Sequence, residues 1–112
     1  MARHTYVVMT NPVEGRDEEF NDWYTNQHIP DLLRAPGIVA AQRYALSDPQ
    51  RDAPPYQYKY LALYEIETDD LQETIDYINA NVGGELIKMS SAYDASDRFA
   101  CLYQPITERV VR

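Results

Sequence analysis

The chain has 112 residues, 45% of them hydrophobic and 25% charged, the proportions of an ordinary globular protein. That length predicts one domain over residues 1–112, burying ~65% of the surface its unfolded form exposes. Eighteen acidic against ten basic residues leave a net charge of −8, which argues against nucleic-acid binding, where a positive stripe must displace counterions from phosphate.

No Lys/Arg cluster suits an anionic membrane surface, and no stretch approaches the ~20 apolar residues of a membrane-spanning helix. Met1-Ala2-Arg3-His4 leads directly into a strand-like run without the apolar core of a signal peptide. The single cysteine, Cys101, rules out an internal disulfide framework and reads as a buried small hydrophobe. A cytoplasmic location is the expectation. Ten tyrosines are unusual, and a large apolar body with one polar tip suits interfaces and pockets.

Thr5 to Thr10 is β-rich and ends at the turn signal Asn11-Pro12, which predicts the first strand. From Arg16 the pattern becomes helical. Phe20, Trp23, Tyr24, Gln27 and His28 share one face, and Glu14, Asp17, Glu18 and Glu19 crowd the positive N-terminal end. Pro30 predicts a break or kink near His28, with Asp31 to Arg34 as a further turn before Pro36-Gly37.

Ile38 to Leu46 predicts the second strand, and the proline-rich segment Asp48 to Pro55 a surface connection. Tyr56 to Glu67 predicts the third strand. Tyr56, Tyr58, Tyr60, Ala62, Tyr64 and Ile66 lie on one side of it and Leu61, Leu63 and Glu65 on the other. Thr68 or Asp69 is placed to cap a second helix with the stripe Leu71, Ile75, Ile78 and Val82, stopped by Gly83-Gly84. Glu85 to Asp97 reads as a helical turn and loop, and Arg98 to Gln104 as the fourth strand.

The order β-α-β-β-α-β predicts an α+β, ferredoxin-like fold: a four-stranded antiparallel sheet with both helices on one face. The other face would carry a strip of Tyr or Leu, and a second copy of the chain would cover it.

The run from Glu19 through Phe20, Trp23, Tyr24, Asn26, His28 and Pro30 to Asp31, followed by Pro36-Gly37-Ile38 and Arg43-Tyr44, resembles the dimeric α/β-barrel superfamily. Within it the run is similar to the EthD-like branch, with its F-x-x-W/Y-Y-x-x-x-H-x-P signature, and Tyr58 to Glu65 is similar to that branch's third strand. The resemblance covers residues 5 to 105. It implies two protomers closing their sheets into a shared barrel, with one pocket per protomer between sheet and helices. The superfamily holds cofactor-independent monooxygenases, lactone isomerases, polyketide cyclases and lyases, so the fold does not select the reaction.

His28 is the foremost candidate, because imidazole takes or gives a proton near neutral pH; the alternative is a core histidine bonded to a carbonyl or carboxylate. Tyr24 and Trp23 are candidates for lining an apolar pocket, Tyr24 also as a catalytic hydroxyl, and Asn26 for orienting a carbonyl or oxyanion, against plain helix packing and, for Asn26, a solvent-facing amide. Tyr58, Tyr60 and Tyr64 either donate to developing charge or pack an interface. Arg43 either grips a substrate carboxylate or forms a surface ion pair.

Two histidines and one cysteine make no zinc signature, and no dinucleotide or phosphate loop occurs, so no metal or organic cofactor is expected. The leading expectation is a cofactor-independent lyase or isomerase of catabolism. It would use proton transfer on a small apolar, aromatic or cyclic metabolite. The alternatives are a cofactor-free monooxygenase and a non-catalytic binding or scaffolding homodimer.

Overall fold

Alternation along β1 (Arg3–Thr10) sends Tyr6, Val8 and Thr10 to one side of the sheet and Thr5, Val7 and Met9 to the other. The computed structural model describes residues 1–112. After β1 come α1 (Asp17–Trp23), a π-helical turn (Tyr24–His28), α2 (Ile29–Leu32), β2 (Ile38–Ala45), β3 (Tyr60–Glu67), α3 (Leu71–Asn81) and β4 (Phe99–Tyr103). The strands lie in the order β2-β3-β1-β4 and every neighbouring pair is antiparallel. This is the α+β ferredoxin-like arrangement that the element order predicts.

The core forms on the helical side of the sheet, where Phe20, Tyr24 and Leu32 meet Ala62, Tyr64 and Ile66. Phe20 is fully buried, which contributes about 1.5–3 kcal/mol relative to exposure. Gly37, at φ +88°, turns the chain from α2 into β2 under α3; a Cβ there would stand 2.9 Å from Thr74 Oγ1. Only glycine suits both the angle and the gap.

The third strand is shorter than its alternation predicts. Tyr56 to Lys59 lies outside the ladder because the Asn11 side chain takes over its backbone groups. Asn11 Oδ1 accepts from Lys59 N–H at 2.8 Å, and Asn11 Nδ2 donates to the Gln57 carbonyl at 2.8 Å. Pro30 does not break the first helix, as described below. The second helix is capped by Asp70, whose carboxylate accepts from Glu73 N–H, rather than by Thr68 or Asp69. Glu85 to Asp97 holds no helix; isolated bridges from Val82 to Ile87 and from Pro12 to Tyr93 tie it down.

The opposite face of the sheet is open. Cross-strand partners Val7 and Leu63, Met9 and Leu61, and Met9 and Phe99 share it. Cys101, paired with Val7 on this face, is exposed and not buried as its residue type suggests, because the sheet has no second layer here. No helix is long and apolar enough to cross a membrane.

Candidate active site

Pro30 has no N–H to return to the carbonyl of Asn26, and the helix widens just before it. The Ile29 N–H bonds instead to the Tyr24 carbonyl, five residues back, so the chain passes through a π turn without breaking. Such turns recur at functional sites. This one gathers three rings: Trp23 and His28 stand 4.7 Å apart between centroids, and Tyr24 meets His28 edge-on at 4.8 Å. Trp23 Nε1–H donates to the Lys88 carbonyl at 3.0 Å, anchoring the indole to the segment after α3.

These side chains wall a cavity of about 240 Å³ between the helices and the sheet. Tyr6, Val8 and Tyr64 form its floor; Ile78, Ile87, Met89 and Tyr93 close the sides. The volume lies below the ~300–1,000 Å³ of drug-sized pockets, which sets the scale of a small molecule. His28 Nδ1 is the one buried side-chain nitrogen or oxygen without a hydrogen-bond partner. Buried polar atoms are rarely left so, and this one belongs to a side chain lining a cavity.

Burial pushes the His28 pKa down to about 4, and Arg43 adds to the effect; Asp31 and the Lys88 backbone oppose it without reversing it. The ring is therefore neutral at pH 7, and its Nδ1 has no partner within the fold. Burial pushes Tyr24 up to about 12 and Tyr64 well above its ordinary value, so both hydroxyls keep their protons. Tyr64 Oη donates to Tyr24 Oη at 3.3 Å, which leaves the Tyr24 hydrogen available to another acceptor. A neutral base and a hydroxyl donor thus border one apolar space, the pairing needed to take a proton from carbon while holding the oxygen where charge appears.

Asp31 supports this wall from behind. Its carboxylate accepts from Gln27 Nε2, from Arg34 at 2.5 Å and from Lys88 N–H at 3.0 Å, and is only 1% exposed. Burial alone would raise its pKa, but the bonds from Lys88, Gln27 and Arg34 hold it below the usual carboxylate value. The Lys88 bond fastens the segment that carries Ile87 and Met89 to the end of the first helical stretch.

Of the residues singled out in the sequence, His28, Tyr24, Trp23 and Tyr64 come together around the cavity. Asn26 does not. It is exposed, and its amide donates to Asp22 Oδ1 at 2.9 Å on the solvent side of the helix. Tyr58 precedes β3 and donates to Asp97 at the surface, and Tyr60 donates to Asp17. Arg43 also lies outside the cavity lining. Its guanidinium stacks 4.5 Å from the centre of the Tyr24 ring, donating to Asn21 Oδ1 and Thr25 Oγ1. It braces the Tyr24 ring without lining the space that would hold a substrate.

Tyr6, Tyr93 and Arg98 are lining residues that sequence reasoning missed. Strand parity does place Tyr6 and Val8 together on one side of β1. Nothing local marks Tyr93 or Arg98, which reach the cavity only because the irregular segment after α3 folds back.

An EthD-like protein from Ralstonia eutropha JMP134 superposes over 97% of this chain and 96% of its own, with a TM-score of 0.65 at 16% identity. The fold is that of the EthD-like proteins. The heme-degrader MhuD from Mycobacterium tuberculosis, solved with two hemes bound in its active site, shares that architecture over 96% of this chain and 99% of its own. Its TM-score is 0.63 and its identity 11%. Core atranone cluster protein 1 from Stachybotrys chlorohalonatus is 33% identical over 61 residues, 53% of this chain. The chain spans about a quarter of that relative's length, the match covering 24% of it. No family profile matches the sequence.

Proposed function

We propose that this chain is a proton-transfer enzyme of lyase or isomerase type, acting without metal or organic cofactor on a small, largely apolar ring compound. The observation that carries the reading is the unpartnered, buried His28 Nδ1 at a cavity it shares with the Tyr24–Tyr64 hydroxyl pair. His28 Nδ1 removes a proton from carbon beside a carbonyl. The Tyr24 hydroxyl donates to the carbonyl oxygen as it becomes an enolate, and the imidazolium returns the proton at a second position or to a leaving group. A neutral ring with a depressed pKa is a weak base in the empty cavity, but the enolate charge formed beside it stabilises the imidazolium and offsets the desolvation.

A homodimer is part of this proposal, formed through the open sheet face that carries Val7, Met9, Leu61, Leu63 and Phe99. Similarity in fold to MhuD, which holds two hemes in its active site, supports a small-molecule pocket in this fold and does not select the reaction.

The test is deuterium wash-in from D₂O, followed by NMR, across a panel of cyclic and aromatic ketones and lactones bearing an acidic C–H. The protein accelerates exchange for at least one compound, and His28→Ala lowers that rate by about 10²–10⁴-fold. A variant exchanging at the wild-type rate sinks the reading. Oxygen uptake during turnover would instead favour the cofactor-free monooxygenase.

A further inference from the structure

We propose that the substrate of this cavity carries an ionised carboxylate and that Arg98 is the residue that binds it. The inference rests on the proton-transfer reading only for which compound is transformed; the binding site stands on its own geometry.

A second cavity of about 230 Å³ lies beside the first, between α3 and strands β1, β3 and β4. The two share Tyr6, Ile78, Asn79 and Arg98, so Arg98 stands at their junction. Every other lining residue of both spaces is apolar, aromatic or uncharged at pH 7, His28 included. No carboxylate lines either one, although acids outnumber bases eighteen to ten in the chain.

Apart from Arg98, no lysine or arginine lines either cavity. Arg3, Arg16, Arg34 and Lys59 form ion pairs, and Arg43 gives its guanidinium to Asn21 and Thr25. Arg98 has no ion-pair partner. Arg98 is exposed at the rim that the two mostly apolar cavities share, and a lone cation there, in a chain of net charge −8, provides a site where an anion is attracted and not repelled. A guanidinium presents two parallel N–H donors that match a carboxylate, and the neighbouring Asn79 amide offers another. The occupant is a ring compound with one carboxylate: its ring lies against Tyr6 and Ile78, and its charge is neutralised before enolate charge develops near His28.

The probes are 2-naphthoate and its uncharged analogue 2-naphthamide, titrated against the full chain by fluorescence and calorimetry at pH 7. Naphthoate binds about ten-fold more tightly than the amide, the yield of one charge-assisted pair. Arg98→Met erases that difference and leaves amide binding unchanged, while Arg98→Lys keeps part of it. Circular dichroism checks that both variants fold. Equal binding of the two probes, no binding of either, or an Arg98→Met variant that still prefers naphthoate overturns the proposal. His28→Gln separates the two readings, since it keeps the preference for naphthoate whatever it does to deuterium exchange. A wild-type protein that prefers naphthoate but exchanges nothing upholds the carboxylate site and overturns proton transfer. One that exchanges ketones while binding both probes alike does the reverse.

Discussion

Tyr64 Oη donates to Tyr24 Oη at 3.3 Å across the floor of the cavity, and both rings are 2% exposed or less. Removing either hydroxyl strands the other in an apolar setting. Tyr24→Phe or Tyr64→Phe therefore costs about 1–3 kcal/mol of stability. The double variant costs less than the sum, because no orphaned group remains. Urea denaturation of the four proteins measures the coupling. Tyr24→Phe also lowers turnover by about 10²–10³, the loss expected for one oxyanion donor.

His28 makes stability depend on acid in a defined window. Its folded pKa, about 4, lies below the ordinary 6.5 of the unfolded ring, so the unfolded chain binds the proton first as pH falls. Its contribution is complete above pH 6.5, declines by up to about 1.4 kcal/mol per pH unit towards pH 4, and is then level. His28→Phe flattens the urea midpoint across that window. A variant with the wild-type slope would show that the ring is solvated in the folded state.

Asp31 should matter for the wall more than for the chemistry. Asp31→Ala leaves the Lys88 N–H and the Gln27 amide without their acceptor, at a cost of about 2–3 kcal/mol. Hydrogen exchange at Lys88 rises as the segment from Ile87 to Met89 loosens. Because the carboxyl is held below 3.8, its own contribution is lost only as pH falls beneath that value, under the window of His28.

The open sheet face supplies the test of assembly. Leu63→Lys places a charge beside Val7 and near Cys101, on the side away from the cavity. Light scattering reports twice the chain mass for the wild type and the single chain mass for the variant, with its circular dichroism unchanged. A wild-type monomer at micromolar concentration would overturn the dimer.

Much of this was legible in the chain. Periodicity marked all four strands and the long helices, and the helical face beginning at Phe20 led to Trp23, Tyr24 and His28, because i, i+3 and i+4 positions meet whatever else the chain does. Parity put Tyr64 beneath them and Leu63 on the far side. Backbone capture by Asn11 could not be read locally, since it joins residues 46 and 48 apart, and it ends β3 short of Tyr58. Asn26 was misplaced for a related reason: one residue along a helix turns a side chain by about 100°, and Asp22 then holds the amide at the surface.

The sequence by itself determined the order of elements, the side of the sheet that carries the core, and the presence of an imidazole among aromatic rings; these follow from local periodicity. Only the tertiary structure decided that the imidazole is neutral with an unpartnered nitrogen, that two tyrosine hydroxyls 40 residues apart pair beside it, and that Arg98 reaches the same space. Those properties depend on how completely water is excluded and on which distant segments converge. Both are set by the packing of the whole chain, and no local pattern encodes them.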